Sequence, residues 1–204
     1  RVCSHVLGTV DHSARGPVLI TFSGRGILLD IEGTTSSIQF VYDVLFPYAR
    51  RELDGFLARQ WSSPEVLAAC EQIARDAGAK SLSEWCSRRD AHDPQRLIKD
   101  EVIRLMNADA KTSGLKLLEG LMWRGGYESG ELKSHVFDDV PPSMARWAGL
   151  DLDLRIYSSG SVMAQRLLFA HTTHGDLTRH LRGYYDTTIG SKKQAGSYQR
   201  IVRD

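Results

Sequence analysis

Ile27-Leu28-Leu29-Asp30-Ile31-Glu32-Gly33-Thr34-Thr35 is the stretch on which the fold turns. A short apolar run that breaks into an acidic, glycine-containing loop reads as a buried strand ending at Asp30. In open α/β sheets, sites form outside the carboxyl ends of the strands, so the loop after Leu29 is the first place to look for chemistry.

Beyond this loop the apolar period changes. Val41, Val44, Leu45 and Tyr48, then Leu53, Phe56 and Leu57, recur at helical spacing, with Pro47 predicting a kink or a restart. Ser63-Pro64-Glu65 has the chemistry of a helix start, and Gly78 that of a stop. Asp93-Pro94 repeats the start signal ahead of Leu97, Ile98, Val102 and Leu105, and a further helix is expected from Thr112 to Trp123. Gly125-Gly126 and Ser129-Gly130 read as a hinge or linker. After it come a helix over Pro141 to Trp147, an alternating apolar strand over Leu152 to Tyr157, and a helix over Val162 to Ala170. Leu177 to Leu181 reads as a short helix, Tyr184 to Ile189 as an extended segment, and Ser197 to Val202 as the start of a last helix. The order is that of an α/β protein with a helical insertion after its first strand. Residues 1–25 form an irregular segment, 26–40 and 130–204 the core, and 41–129 the insertion.

The bulk numbers exclude several classes. The chain has 204 residues, 42% hydrophobic and 25% charged, with a formal net charge of +1. That balance gives no electrostatic footprint for nucleic acid or an anionic membrane. No stretch approaches the ~18 apolar residues of a membrane-spanning helix. Three cysteines at wide spacing, Cys3, Cys70 and Cys86, fit a reducing compartment. Because the chain opens on Arg1, its start is expected to be a fragment end.

Three local features carry chemistry. An Asp at a strand end can attack phosphorus, and its oxygens suit Mg2+. Asp30 is therefore a candidate nucleophile and metal ligand. Glu32, two residues on, can reach the same place as general acid/base. Gly33 and Thr34 could offer backbone N–H groups to phosphate oxygens. The same residues also read as a polar strand end before a helix cap. Ser158-Ser159-Gly160-Ser161, after Leu154-Arg155-Ile156-Tyr157, places hydroxyls ahead of a helix N-terminus, where an anion or a routine cap is the choice. Lys192 in Ile189-Gly190-Ser191-Lys192-Lys193 can neutralise a transferring phosphoryl group, whereas Lys193 reads as solvated surface. His135, His171 and His174 are the other titratable candidates. The last two lack a carboxylate at ligand spacing, so a helix-end or loop role is expected rather than zinc.

Nucleophile, hydroxyl anchor and cation occur in the order seen in the haloacid dehalogenase superfamily. Leu28 to Thr35 resembles the first motif of its acireductone synthase (enolase-phosphatase) family, which has Glu where most superfamily phosphatases have a second Asp. Phe40-Val41, Leu45-Phe46-Pro47-Tyr48, Gly120-Leu121-Met122-Trp123-Arg124, Ile156 to Val162, Ala164-Gln165, Leu167-Leu168-Phe169 and Ile189 to Lys192 are similar to that family too. The resemblance runs from Ile27 to Ile201. It implies a Rossmannoid core with a parallel sheet and the helical block as a cap. It also implies Mg2+-dependent conversion of 2,3-diketo-5-methylthiopentyl-1-phosphate to the acireductone and phosphate, in methionine salvage. Asp30 would be nucleophile and Mg2+ ligand, Glu32 metal-site residue and acid/base, Ser158 and Ser159 the phosphate holders, and Lys192 the charge stabiliser. The implied partner is a small phosphate ester, with neither nucleic acid nor membrane. The implied state is a cytoplasmic monomer, with nuclear placement also known in eukaryotic members. The family's fourth motif, an apolar strand ending in an acidic metal ligand, is not found before Asp204, and Gly24-Arg25-Gly26 stands where apolar residues would lengthen the first strand. Two further readings follow: an inactive or binding-only homologue, and a phosphatase of the same superfamily with another small ester.

Overall fold

The apolar run that ends at Asp30 is a strand, β1 (Gly26–Leu29), in the computed structural model of the chain, which describes residues 24–204. The irregular reading of residues 1–25 falls almost wholly outside the described residues. β1 pairs in parallel with β2 (Asp153–Tyr157), which pairs in parallel with β3 (Gly183–Tyr185), in the order β1-β2-β3. Leu29 stands opposite Ile156, and Tyr157 opposite Tyr185. Parallel neighbours need a long crossover, usually helical. The crossover from β2 to β3 is one α-helix, α8 (Val162–Ala170), and a short 3-10 turn, Thr178–His180, while the one from β1 to β2 takes in the whole helical insertion. Among the described residues β1 has a single strand neighbour. Leu154 and Ile156, on one face of the central strand, are fully buried, and α7 (Val140–Gly149) packs on β2 and α8 on β3.

In the insertion, helix follows helix with no sheet strand between Ile38 and Glu128. The expected break at Pro47 is a change of pitch instead. A short helix, α1 (Ile38–Phe40), widens into a π turn over Val41–Leu45 and continues as α2 (Phe46–Gln60). Proline has no N–H to give to the preceding turn. Here the amide of Phe46 reaches back to Val41, and Pro47 falls in the first turn of α2, where the missing donor is harmless.

Ser63 precedes α3 (Pro64–Asp76) in extended geometry, although its hydroxyl makes no capping bond. Caps that do bond include Ser81, before α4 (Leu82–Arg88), and Asp93, before α5 (Pro94–Asn107). In α4, Ser81 accepts from the Glu84 amide and the Glu84 carboxylate accepts from the Lys80 amide, a reciprocal arrangement written in the sequence as Ser-x-x-Glu.

The hinge expected at Gly125-Gly126 is helical. α6 (Ser113–Glu128) runs straight through it. Gly126 is inside the helix for space: a Cβ there would lie 2.6 Å from the Tyr48 ring and 2.7 Å from Leu132. At the other end of α6, a Cβ on Gly114 would lie 2.5 Å from the backbone nitrogen of Ile73 in α3, and the Gly114 amide donates to Asp76 at 2.7 Å. Glycine thus sets the α3–α6 spacing. Gly114→Ala, worth about 1 kcal/mol of gain from helix propensity alone, is expected to cost about 2 kcal/mol net because backbone must move. It would show as a lower urea midpoint at unchanged slope; a midpoint at or above the parent's would mean the helices part without penalty.

Candidate active site

Because the three strands run parallel and in register, their carboxyl ends open on one place. Asp30 follows β1, Ser158 follows β2, and the chain after β3 leads through a short 3-10 turn, Thr187–Ile189, to Lys192. Lys192 Nζ lies 2.5 Å from Asp30 Oδ1, an ion pair across 162 residues of sequence. The same oxygen accepts the Ile31 amide at 2.8 Å, and Thr35 Oγ1 donates to the Asp30 carbonyl at 3.0 Å. With Oδ1 held twice, Oδ2 has no protein hydrogen bond among the described residues.

Ser158 is fully buried. Its hydroxyl donates to the Glu32 carboxylate at 3.1 and 3.3 Å and accepts the Gly160 amide at 3.2 Å. So here Ser158 positions Glu32, joining the first and second strand ends. The routine cap of α8 is Ser161, whose Oγ accepts from the Ala164 amide at 3.3 Å. The Ser159 carbonyl accepts Lys116 Nζ from α6 at 3.3 Å, which ties the helical block to the sheet edge.

Asp30, Glu32, Ser158, Ser159 and Lys192 all line one cavity of about 400 Å3. Gly33 and Thr34 are not among its walls. Their amides, expected as donors to phosphate, close the loop on itself, donating to the Ser36 carbonyl at 2.8 Å and the Ile31 carbonyl at 3.1 Å. The rest of the cavity comes from the helices: Tyr42 and Leu45 of the π turn, Phe46 of α2, Leu115 and Trp123 of α6. Phe46 stacks on Trp123 at 6.4 Å between ring centres, and Trp123 Nε1 donates to the Leu45 carbonyl at 2.9 Å. The cavity therefore has a charged floor and an aromatic wall.

The histidines lie elsewhere. His135 Nδ1 accepts the Ser37 amide at 3.2 Å, His171 caps α8 and stacks on Tyr127 at 5.1 Å, and His174 approaches Asp138 at 3.7 Å.

One cavity residue went unread in the sequence. Glu119, only 5% exposed, sits on the buried face of α6 with Leu115 and Met122. The signal was available: a carboxylate at i+4 from Leu115 and i−3 from Met122 falls within the apolar stripe. Burial pushes Glu119 up to about 8; Asp109 adds to the rise and Lys116 opposes it. The unfolded chain ionises this group near ~4.3. Between that pH and about 8 the folded state holds more protons, so the contribution of Glu119 to stability is full below the lower value and is lost as pH rises through the upper one. Glu119→Gln is expected to remove that loss, gaining on the order of 3 kcal/mol over the parent between about pH 5 and pH 8. Urea unfolding at several pH values checks this; parallel curves for the two proteins would show that Glu119 ionises normally.

A parallel α/β sheet with a carboxylate–lysine pair at its strand ends and a helical insertion after the first strand defines a haloacid dehalogenase-like protein. No family model matches the chain. It is 44% identical over 87% of its length to enolase-phosphatase E1 of Sorangium cellulosum, covering 73% of that protein, and 45% identical over 91% to the enzyme of the same name from Synechococcus elongatus, covering 76%. The crystal structure of the UTR4 protein from Saccharomyces cerevisiae superimposes with a TM-score of 0.68 at 30% identity, over 88% of this chain and 75% of that one. The chain belongs to the enolase-phosphatase E1 family of phosphatases.

Hydrogen bonds to charged groups are worth about 1.5–3 kcal/mol. Ser158→Ala leaves Glu32 without its hydroxyl donor, and is expected to lower stability by about 2 kcal/mol at neutral pH. An unchanged urea midpoint would mean the Glu32–Ser158 contact carries nothing.

Proposed function

We propose that this chain is a Mg2+-dependent enolase-phosphatase that converts 2,3-diketo-5-methylthiopentyl-1-phosphate to the acireductone and phosphate in methionine salvage, as a cytoplasmic monomer, also nuclear where the cell is eukaryotic. The observation that carries the reading is the Asp30–Lys192 pair at the floor of a cavity whose wall is aromatic. A phosphate suits the floor and a methylthio-alkyl tail suits the wall. Family membership supports the same substrate class.

Among the described residues no group of three or more Asp, Glu, His or Cys side chains could hold a metal. Mg2+ does not need one: it commonly takes one or two carboxylates and completes its shell with water and substrate phosphate. Asp30 as the carboxylate ligand, with Glu32 beside it on the same cavity floor, fits that pattern. Bound there, Mg2+ would supply Lewis-acid polarisation of the phosphoryl and carbonyl oxygens.

The chain's own residues account for the transfer. Asp30, oriented by the Ile31 amide and by Lys192, presents its other oxygen to phosphorus. The new P–O bond forms as the ester P–O bond breaks, giving an aspartyl-phosphate, and Lys192 offsets the charge gathering on the phosphoryl oxygens. Glu32, held by Ser158, gives its proton to the leaving oxygen. Water then attacks phosphorus, Glu32 takes back a proton, and phosphate and Asp30 are regenerated. The helical block excludes water from the first step by covering the cavity.

Phosphate release from the diketo phosphate by the 204-residue chain is expected to need both Mg2+ and Asp30. EDTA should stop it, and Asp30→Asn should lower it by about 10³-fold or more. Equal release by parent and Asp30→Asn would remove Asp30 from the reaction, and with it this mechanism.

A further inference from the structure

The transfer chemistry leaves Glu119 without a task. Glu119 is a carboxylic acid almost closed off from solvent, it lines the cavity, and among the described residues its side chain has no hydrogen-bond or ion-pair partner. Buried polar groups are normally paired, and an unpaired carboxylate in such a place is costly. Its place along α6 is informative. Lys116, one turn before it, reaches the Ser159 carbonyl at the polar floor, and Trp123, one turn after it, stacks on Phe46 at the aromatic wall. Glu119 stands between the two ends, where the carbon chain of a phosphate ester seated on Asp30 and Lys192 would pass.

We propose that Glu119 binds substrate there, its carboxyl group donating a hydrogen bond to a carbonyl oxygen of the substrate's carbon chain. The inference rests on the phosphate-ester reading above and assigns a residue of the cavity to the ketone that this substrate carries between phosphate and tail. A neutral carboxyl has one O–H to give and a carbonyl oxygen is an acceptor only, so the two satisfy each other. Burial keeps the proton on Glu119 up to about pH 8. The charged groups that share the cavity are Asp109 and Lys111 after α5, Lys116 on α6, Arg50 on α2, and Asp30, Glu32 and Lys192 at the floor. Lys116, the neighbour that could ionise it, is engaged with Ser159. On this reading Glu119 does the work of an amide, and glutamine should replace it.

The test is binding, by calorimetry with Mg2+ present, of a 2-oxoalkylphosphonate and of the alkylphosphonate of equal length that lacks the ketone. Neither is hydrolysed, so the readout does not depend on turnover. The parent is expected to prefer the ketone by about tenfold, as a site built to bond one oxygen should. Glu119→Gln should keep the preference to within about threefold, and Glu119→Leu should reduce it to about one. Above about pH 8 the preference should fade in the parent but persist in Glu119→Gln. Equal affinity of the parent for both phosphonates overturns the inference and leaves the phosphatase reading standing. So does a folded Glu119→Gln that has lost the preference, which would point to an ionised carboxylate, or a Glu119→Leu that keeps it. If Glu119→Leu does not fold, the glutamine variant and its pH series decide alone. If the parent binds neither phosphonate, the phosphate-ester reading fails and takes the inference with it.

Discussion

Parallel pairing of three short strands is the constraint on which this molecule depends. Each strand ends in a residue that could not reach the others through sequence: Asp30, Ser158 and the loop bearing Lys192. With Leu29 opposite Ile156 and Tyr157 opposite Tyr185, the three ends open side by side. A one-residue slip in a parallel pair would turn every side chain to the other face. Leu154 and Ile156, fully buried within the central strand, set the register against such a slip.

Register alone does not place a lysine, whose long side chain is free to wander. Here the loop that carries Lys192 is tied at several points. Tyr198 of α9 (Ala195–Arg203) donates to the Lys192 carbonyl at 2.8 Å, and Ser197 donates to the Ser191 carbonyl at 2.9 Å. α9 is in turn fixed to the sheet by Arg155 of β2, which donates to the Ile201 carbonyl at 2.7 Å while pairing with Asp153 and the Tyr185 hydroxyl. The Lys192 ammonium also lies 5.6 Å from the ring centre of Tyr157. The cation is thus held by packing and hydrogen bonds to the same strand that positions Ser158, and its electrostatic pull on Asp30 needs little reorganisation.

Much of this was legible in the residues. The strand ending at Asp30, the α8 boundaries from Val162 to Ala170, the start at Asp93-Pro94 and the stop at Gly78 follow from local chemistry that tertiary contacts did not override. Other readings depended on partners. Gly125-Gly126 looked like a linker because glycine's local preference is loose, yet α6 runs through both and needs glycine at 126 to let Tyr48 and Leu132 approach. Gly33-Thr34 looked like an anion cradle because such loops offer amides, yet the loop's own carbonyls take them. Ser158, read as a cap or a phosphate anchor, lines the cavity and also meets Glu32, 126 residues away, a contact no local pattern shows. At Gly126 and Ser158 the partner is distant and invisible in a local pattern, whereas at Gly33 and Thr34 the carbonyls that take the amides, Ser36 and Ile31, are local.

The helical insertion contributes more than a cover. An aromatic wall alone would discriminate tails weakly, since a methylene in an apolar pocket is worth only about 1–3 kcal/mol. A charged floor alone would accept any phosphate ester. What separates one small ester from another is a polar group set where only the right chain has a matching atom, because leaving that group unpaired in an apolar setting costs more than any tail contact returns. α6 supplies such a group. It carries Lys116 to the floor and Trp123 to the wall, and between them it buries a single carboxyl, on the helix whose glycines fix its distance from α3 and from Tyr48. The close helix packing that stabilises the insertion is therefore also what holds the middle of the cavity at a fixed width.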